Sequence, residues 1–187
     1  MTQSRTLTRL STRRVVTALA LAGAVGTAIV APNTASMIDT IMQKADKKKA
    51  ARTMTYLKYR KLVEVKQKNG NYHYRLTKKG WDVFEKIQIE KLTVPMPKRW
   101  DKRWRLVMFD IPLSHQKQRQ FLLRHLRLLD FYMLQRSAWI HPFECEKQVG
   151  VLLKYLKLEQ YVSFLVVDSG NFTHHATDHF KKIKLLM

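Results

Sequence analysis

The chain has 187 residues, 45% of them hydrophobic, which suits one medium domain or two small ones and excludes a disordered basic tail. Thirty-five Lys and Arg against 14 Asp and Glu give a net charge of +21. That excess calls for a polyanionic partner, with nucleic acid first and an anionic membrane surface as the competitor. A single cysteine, Cys145, excludes an intrachain disulfide and a cysteine-based zinc module, and fits a reducing compartment.

Arg13-Arg14 precedes an apolar run, Val15 to Ala31, and small residues follow to Ser36, in imitation of a secretory or twin-arginine signal. The run is shorter than the ~20 residues of a membrane span and is diluted by Thr17, Gly23, Gly26 and Thr27. It reads as a first helix packed under the next domain of a cytoplasmic protein. Export or membrane attachment through Val15–Ala31 is the alternative. Pro32-Asn33-Thr34 ends it. Ile38, Ile41, Met42 and Ala45 then recur at helical spacing.

Asp46 suits the N-cap of a third helix, from Lys47 to about Leu62. Ala50, Met54, Leu57 and the stem of Lys61 are expected inside, with Lys48, Lys49, Arg52, Thr55, Tyr56, Tyr59 and Arg60 outside. Two short alternating strands, Leu62–Lys66 and Tyr72–Leu76, then flank Asn69-Gly70, a strong hairpin signal. Thr77 caps a helix running from Lys78 to about Leu92. Helix, helix, helix, hairpin, helix is the order of a winged helix-turn-helix. Val94-Pro95-Met96-Pro97 reads as a stiff linker, which divides the chain into a first domain over 1–93, a linker over 94–99 and a second domain over 100–187.

In the second domain a strand is expected over Arg105–Ile111, then a helix over Ser114–Leu129. Phe131–Leu134 and Ala138–His141 follow as two strands, or as one broken near Gln135-Arg136-Ser137. A helix over Glu144–Leu158, a strand over Tyr161–Val167 and a tail helix over Thr177–Leu186 complete it. The pattern βαββαβ is ferredoxin-like, and the fold class is α+β. Halves this small call for mutual packing or dimerisation.

Charge picks out the functional region. Between Thr40 and Lys79 stand thirteen Lys and Arg against two acids, Asp46 and Glu64. A recognition helix enters the major groove with its N-terminal residues at the base edges. Lys47, Lys48, Lys49, Arg52, Thr53, Tyr56, Tyr59 and Arg60 are the candidate DNA contacts there. Arg52 suits bidentate pairing with guanine, and the lysines suit phosphate. Lys66, Lys68 and His73 of the hairpin are expected over the adjacent backbone or minor groove. Trp100, Trp104, Phe131, Tyr132 and Trp139 are expected in the core or a dimer interface. His175 and His179, four apart, share the spacing of zinc ligands, but a surface loop and helix start is the simpler reading.

The stretch Trp100 to Pro112, W-D-K-R-W-R-L-V-M-F-D-I-P, leads an apolar strand to one carboxylate, Asp110, before Pro112 stops the ladder. With K-K-A-A-R-T-M-T-Y-L, Y-H-Y-R-L-T-K-K-G and L-L-D-F-Y-M-L-Q-R-S-A-W-I-H-P, it resembles the phenylacetate-catabolism repressor (PaaX-like) family, over about Met37 to Val167. Gln135, Ser137 and Trp139 stand in the expected places. The resemblance implies a winged helix joined to a ferredoxin-like domain similar to the small CRISPR-associated endonuclease that partners the spacer integrase. The repressors carry a further C-terminal domain, for which this chain ends early, and the stand-alone nucleases lack a winged helix.

By the same resemblance Asp110 corresponds to the nuclease's metal-binding carboxylate, so that two copies brought together across a twofold axis would hold Mg²⁺ or Mn²⁺ as the catalytic site. Read from its own surroundings, Asp110 is equally an acid that bonds the following turn. The leading expectation is a dimeric, sequence-specific DNA-binding transcriptional regulator that needs no cofactor, with double-stranded DNA and a second copy as partners and no membrane. The alternative is a metal-dependent CRISPR-associated endonuclease, or an inactive DNA-binding relative of one, with a spacer integrase as partner.

Overall fold

The computed structural model describes residues 2–24, 29–31, 36 and 47–186, with backbone only at 2–11, 24 and 47–51. The helix expected over Ile38–Ala45 and the Asp46 cap lie outside these residues. The chain divides into two compact units, Met1–Glu90 and Lys91–Met187.

Unit 1 opens with α1, Thr2–Ala24, followed by a short strand β1, Ile29–Ala31. This corrects the single helix expected over Val15–Ala31. Val15, Val16, Leu19 and Ala20 form one buried stripe of α1 at helical spacing. The β-branched Ile29 and Val30 instead pair antiparallel with the later strand β3. No described helix is long and apolar enough to cross a membrane.

Helix α2 spans Lys47–Tyr59, and the hairpin strands are β2, Val63–Lys68, and β3, Asn71–Leu76. The three strands lie in the order β1-β3-β2. Asn69 (φ 49°) and Gly70 (φ 76°) both adopt left-handed backbone in the two-residue turn, the conformation for which Asn-Gly is selected. Met54, Leu57, Val63 and Tyr74 share one core with Val15, Val16 and Leu19.

Lys61 does not bury its stem as expected: it is exposed, past the end of α2, with φ 55°. Leu62 takes the buried place. Helix α3, Lys78–Ile89, starts at Thr77, whose hydroxyl oxygen accepts from Gly80 N–H and whose O–H donates to the Lys61 carbonyl at 2.6 Å. Glycine at 80 is a matter of approach, since a Cβ there would meet the Leu62 carbonyl oxygen. Arg13 of α1 pairs with Glu90 at 2.8 Å.

Unit 2 contains β4 (Trp104–Phe109), a 3-10 turn (Leu113–His115), α4 (Gln116–Leu128), β5 (Tyr132–Gln135), β6 (Ala138–His141), α5 (Glu146–Leu156), β7 (Val162–Val167) and α6 (Thr173–Lys182). All pairings in the sheet are antiparallel, in the order β5-β6-β4-β7, so the βαββαβ expectation holds and the unit is ferredoxin-like. The second and third strands are separate rather than one broken strand.

One sheet face carries Phe109 and Trp139 against α4, whose Arg119 and Arg127 lie over those rings at 5.8 and 5.3 Å. Trp104 and Ile140 bury against Ala176 and Phe180 of α6. Trp104, Phe131 and Trp139 are core residues, while Trp100 and Tyr132 are half-buried beside them. The tail helix begins four residues earlier than expected. Gly170 N–H donates to the Thr173 hydroxyl at its start, and Lys184, at φ 60°, turns the chain away after its end.

Candidate nucleic-acid interface

Helix α2 is two-faced. Met54 and Leu57 point into the core, while Arg52, Tyr56, Tyr59 and Arg60 are exposed at i, i+4, i+7 and i+8, which is one side of a helix. Tyr59 is 82% exposed. The Arg60 guanidinium lies 5.8 Å above the Tyr56 ring, which steadies both side chains on that face. Thr53 departs from the sequence expectation. It is 1% exposed, because it precedes Met54 on the inward side, and it is withdrawn from the candidate contacts. Lys47, Lys48 and Lys49 lie on the first turn of α2, where the backbone alone is described.

The hairpin sorts its residues by strand alternation. Val63 and Val65 pair with Leu76 and Tyr74 on the inner face. The outer face therefore carries Glu64, Lys66 and Lys68 on β2, opposite Arg75, His73 and Asn71 on β3. Lys66 reaches Glu64 at 3.1 Å. Lys68 and Arg75 have no carboxylate within ion-pair distance among the described residues. Glu64, Lys66, Lys68, His73 and Arg75 border a shallow hollow of about 260 Å³. Arg75 was missed from sequence. Its signal was its place two residues after His73, which the strand period puts on the same face.

In unit 2, Asp110 is exposed just past β4, and its N–H donates to the Tyr161 carbonyl at 3.0 Å. His115 sits at the start of α4, with its Nδ1 3.0 Å from the Ser114 hydroxyl and its ring 5.2 Å from that of Tyr161. Among the described residues no group of three His, Cys, Asp or Glu can hold a metal ion. His175 and His179 both lie on α6, where His179 packs on Tyr132 with ring centroids 4.5 Å apart and the neighbouring His174 pairs with Asp178 at 3.1 Å.

A different polar centre was not legible in the sequence. Arg105 is 5% exposed, yet its guanidinium donates to both carboxylate oxygens of Asp101, at 2.6 and 2.8 Å, and to the carbonyls of Arg103 and Pro142. The hydrogen bonds from Arg105 hold the Asp101 carboxyl below its ordinary pKa. The residue lines a cleft of about 660 Å³ with Trp100, Phe143, Glu144, Phe164 and Val166. Cys145 is fully buried at the start of α5, and burial pushes its thiol pKa up to about 12. It is inert at neutral pH.

No curated protein matches the chain. Residues 97–179, somewhat under half of the chain, match the family described as the PaaX protein central Cas2-like domain. Together with the strand order of unit 2, that match makes residues 97–179 similar to a Cas2-like, ferredoxin-type domain of the PaaX kind.

Proposed function

We propose that the chain is a sequence-specific DNA-binding regulator of transcription in which unit 1 acts as a winged helix, α2 reads the major groove and the β2–β3 hairpin rests on the neighbouring backbone. The carrying observation is that the outward sides of α2 and of the hairpin are both basic, while their inward sides share one core. A shared core under two basic surfaces, the one on α2 also bearing tyrosines, suits groove reading, because phosphate contacts position the protein and base contacts specify the site. The order α1, β1, α2, β2, β3 and the strand order β1-β3-β2 suit a winged helix. The Cas2-like unit ties the chain to the PaaX kind of regulator and supplies a second domain through which two copies would pair. A dimer would read two half-sites about one helical turn apart.

Selection of bound fragments from a random duplex pool tests the reading. The expected product is a twofold-symmetric sequence bound at least about 10³-fold more tightly than random duplex at physiological salt. Recovery of fragments with no shared sequence would overturn it.

A further inference from the structure

Helix α4 carries a charge pattern that the winged-helix reading leaves unused. From Ile111 to Leu129 the chain has four Lys and Arg (Lys117, Arg119, Arg124, Arg127) and no acid. Phe121 and Leu123 are half-buried, and Leu122, His125 and Leu126 are buried. The opposite side is therefore a stripe of exposed Lys117, Gln120, Arg124 and Arg127 at spacings of three, four and three residues. It runs for about 15 Å at 1.5 Å per residue.

Solvated helix faces ordinarily interleave both signs, and α3 of this chain does so, with Lys78, Lys79, Asp82, Glu85 and Lys86. On α4 the cations stand without acids. The ion-paired acids of unit 2 are engaged elsewhere: Asp101 and Glu144 with Arg105, Asp168 with Arg103, and Asp178 with His174. Arg127 of the stripe is also held in place, its guanidinium 5.3 Å from the Trp139 ring.

Like charges along one side of a helix repel one another, at a cost of a few tenths of a kcal/mol per pair. An anionic chain laid along the stripe removes that cost and releases its own counterions. We propose that the exposed side of α4 is a second nucleic-acid surface, by which the Cas2-like unit grips the phosphate backbone of duplex DNA without reading bases. Exposed guanidinium and ammonium groups at this spacing suit phosphates. The centre of the stripe carries Gln120, and its one exposed apolar side chain, Leu128, stands at the end of the helix, whereas a helix lying in a bilayer surface needs a continuous apolar face. The inference shares its partner, DNA, with the proposed function, but rests on other residues.

The test uses the full chain and a random-sequence duplex, with affinity measured by fluorescence anisotropy between 50 and 200 mM salt. The variant Lys117→Gln/Arg124→Gln/Arg127→Gln is compared with Lys66→Gln/Lys68→Gln/Arg75→Gln in unit 1, and Arg124→Lys serves as the charge-preserving control. Three lost phosphate contacts lower the slope of log affinity on log salt by about 2.7, so wild type loses about 40-fold more affinity than the α4 variant over that range. The loss is expected in the unit 1 variant background as well, and not in Arg124→Lys. An unchanged slope in an α4 variant with wild-type circular dichroism and melting temperature would overturn the proposal. So would equal, α4-dependent capture by phosphatidylglycerol vesicles. A slope that responds to α4 and not to the unit 1 variant would sustain this inference while defeating the winged-helix reading.

Discussion

Arg105 and Asp101 form a two-pronged ion pair in which the arginine is nearly buried and the aspartate is 45% exposed. Arg105 sits on the central strand β4 and also binds the Pro142 carbonyl just past β6, so one guanidinium ties two strand ends to the chain that leads into the domain. Asp101→Ala leaves that charge with carbonyls and Glu144 at 3.7 Å as its partners. A fully buried pair broken this way costs about 3–5 kcal/mol, and the exposure of Asp101 brings the expected loss to about 2 kcal/mol. Its folded-state pKa is depressed, so the contribution is present above the unfolded pKa near 3.8 and is lost as pH falls through the folded value. Urea unfolding of wild type and variant at pH 7 measures it, and equal midpoints would refute it.

His141 is 1% exposed among Phe131, Phe143 and Phe180, and its Nδ1 accepts from Phe143 N–H at 3.0 Å. Burial lowers its pKa from 6.5 to about 4. Between those values the unfolded chain binds the extra proton, so stability rises with pH and is lost as pH falls below about 6.5. The expected contribution is about 2 kcal/mol between pH 7 and pH 5. Denaturant titrations at both pH values should show this difference in wild type and not in His141→Asn, whose amide oxygen can accept the same bond.

Gly80→Ala places a methyl group against the Leu62 carbonyl oxygen, a backbone atom that cannot move aside without shifting the strand entry. Overpacking of this kind costs about 3 kcal/mol. Thermal melts should show a clear drop, centred on unit 1. A variant as stable as wild type would mean that α3 starts elsewhere.

Arg52→Ala and Lys68→Ala separate base reading from backbone contact. The first should cost about 1–3 kcal/mol and relax one position of the selected site. Lys68→Ala should weaken all duplexes alike and lower the salt slope by about 0.9. Equal, specificity-neutral losses from both substitutions would remove α2 from the role of reader.

Asp110→Asn should keep DNA binding, or tighten it slightly, since a repelling charge is removed from an exposed position. Incubation of wild type and variant with labelled single- and double-stranded DNA, with and without Mg²⁺ or Mn²⁺, checks this. Metal-dependent cleavage by wild type that the substitution abolishes would replace the regulator reading with the nuclease one.

The amino-acid sequence by itself determined what depends on neighbouring residues. Asn69-Gly70 specifies a tight hairpin because both residues accept left-handed backbone, and Thr77 specifies a helix start because its hydroxyl reaches the free N–H three residues on. The helical spacing of Leu122 and Leu126, or of Val149, Leu152 and Leu153, placed the βαββαβ elements within a few residues. Tertiary structure decided whatever depends on residues far apart along the chain. Ile29–Ala31 looks like the end of an apolar helix, and only its pairing with β3 makes it a strand. Thr53 reads as one more polar residue of a basic helix, and only packing in unit 1 turns it inward. Arg105 opens the expected strand over Arg105–Ile111, and nothing adjacent to it tells of its burial, which the Pro142 carbonyl, 37 residues away, helps to make possible. Local hydrogen bonds and torsions are written in adjacent residues, whereas the burial of a charge needs partners that the fold alone brings together.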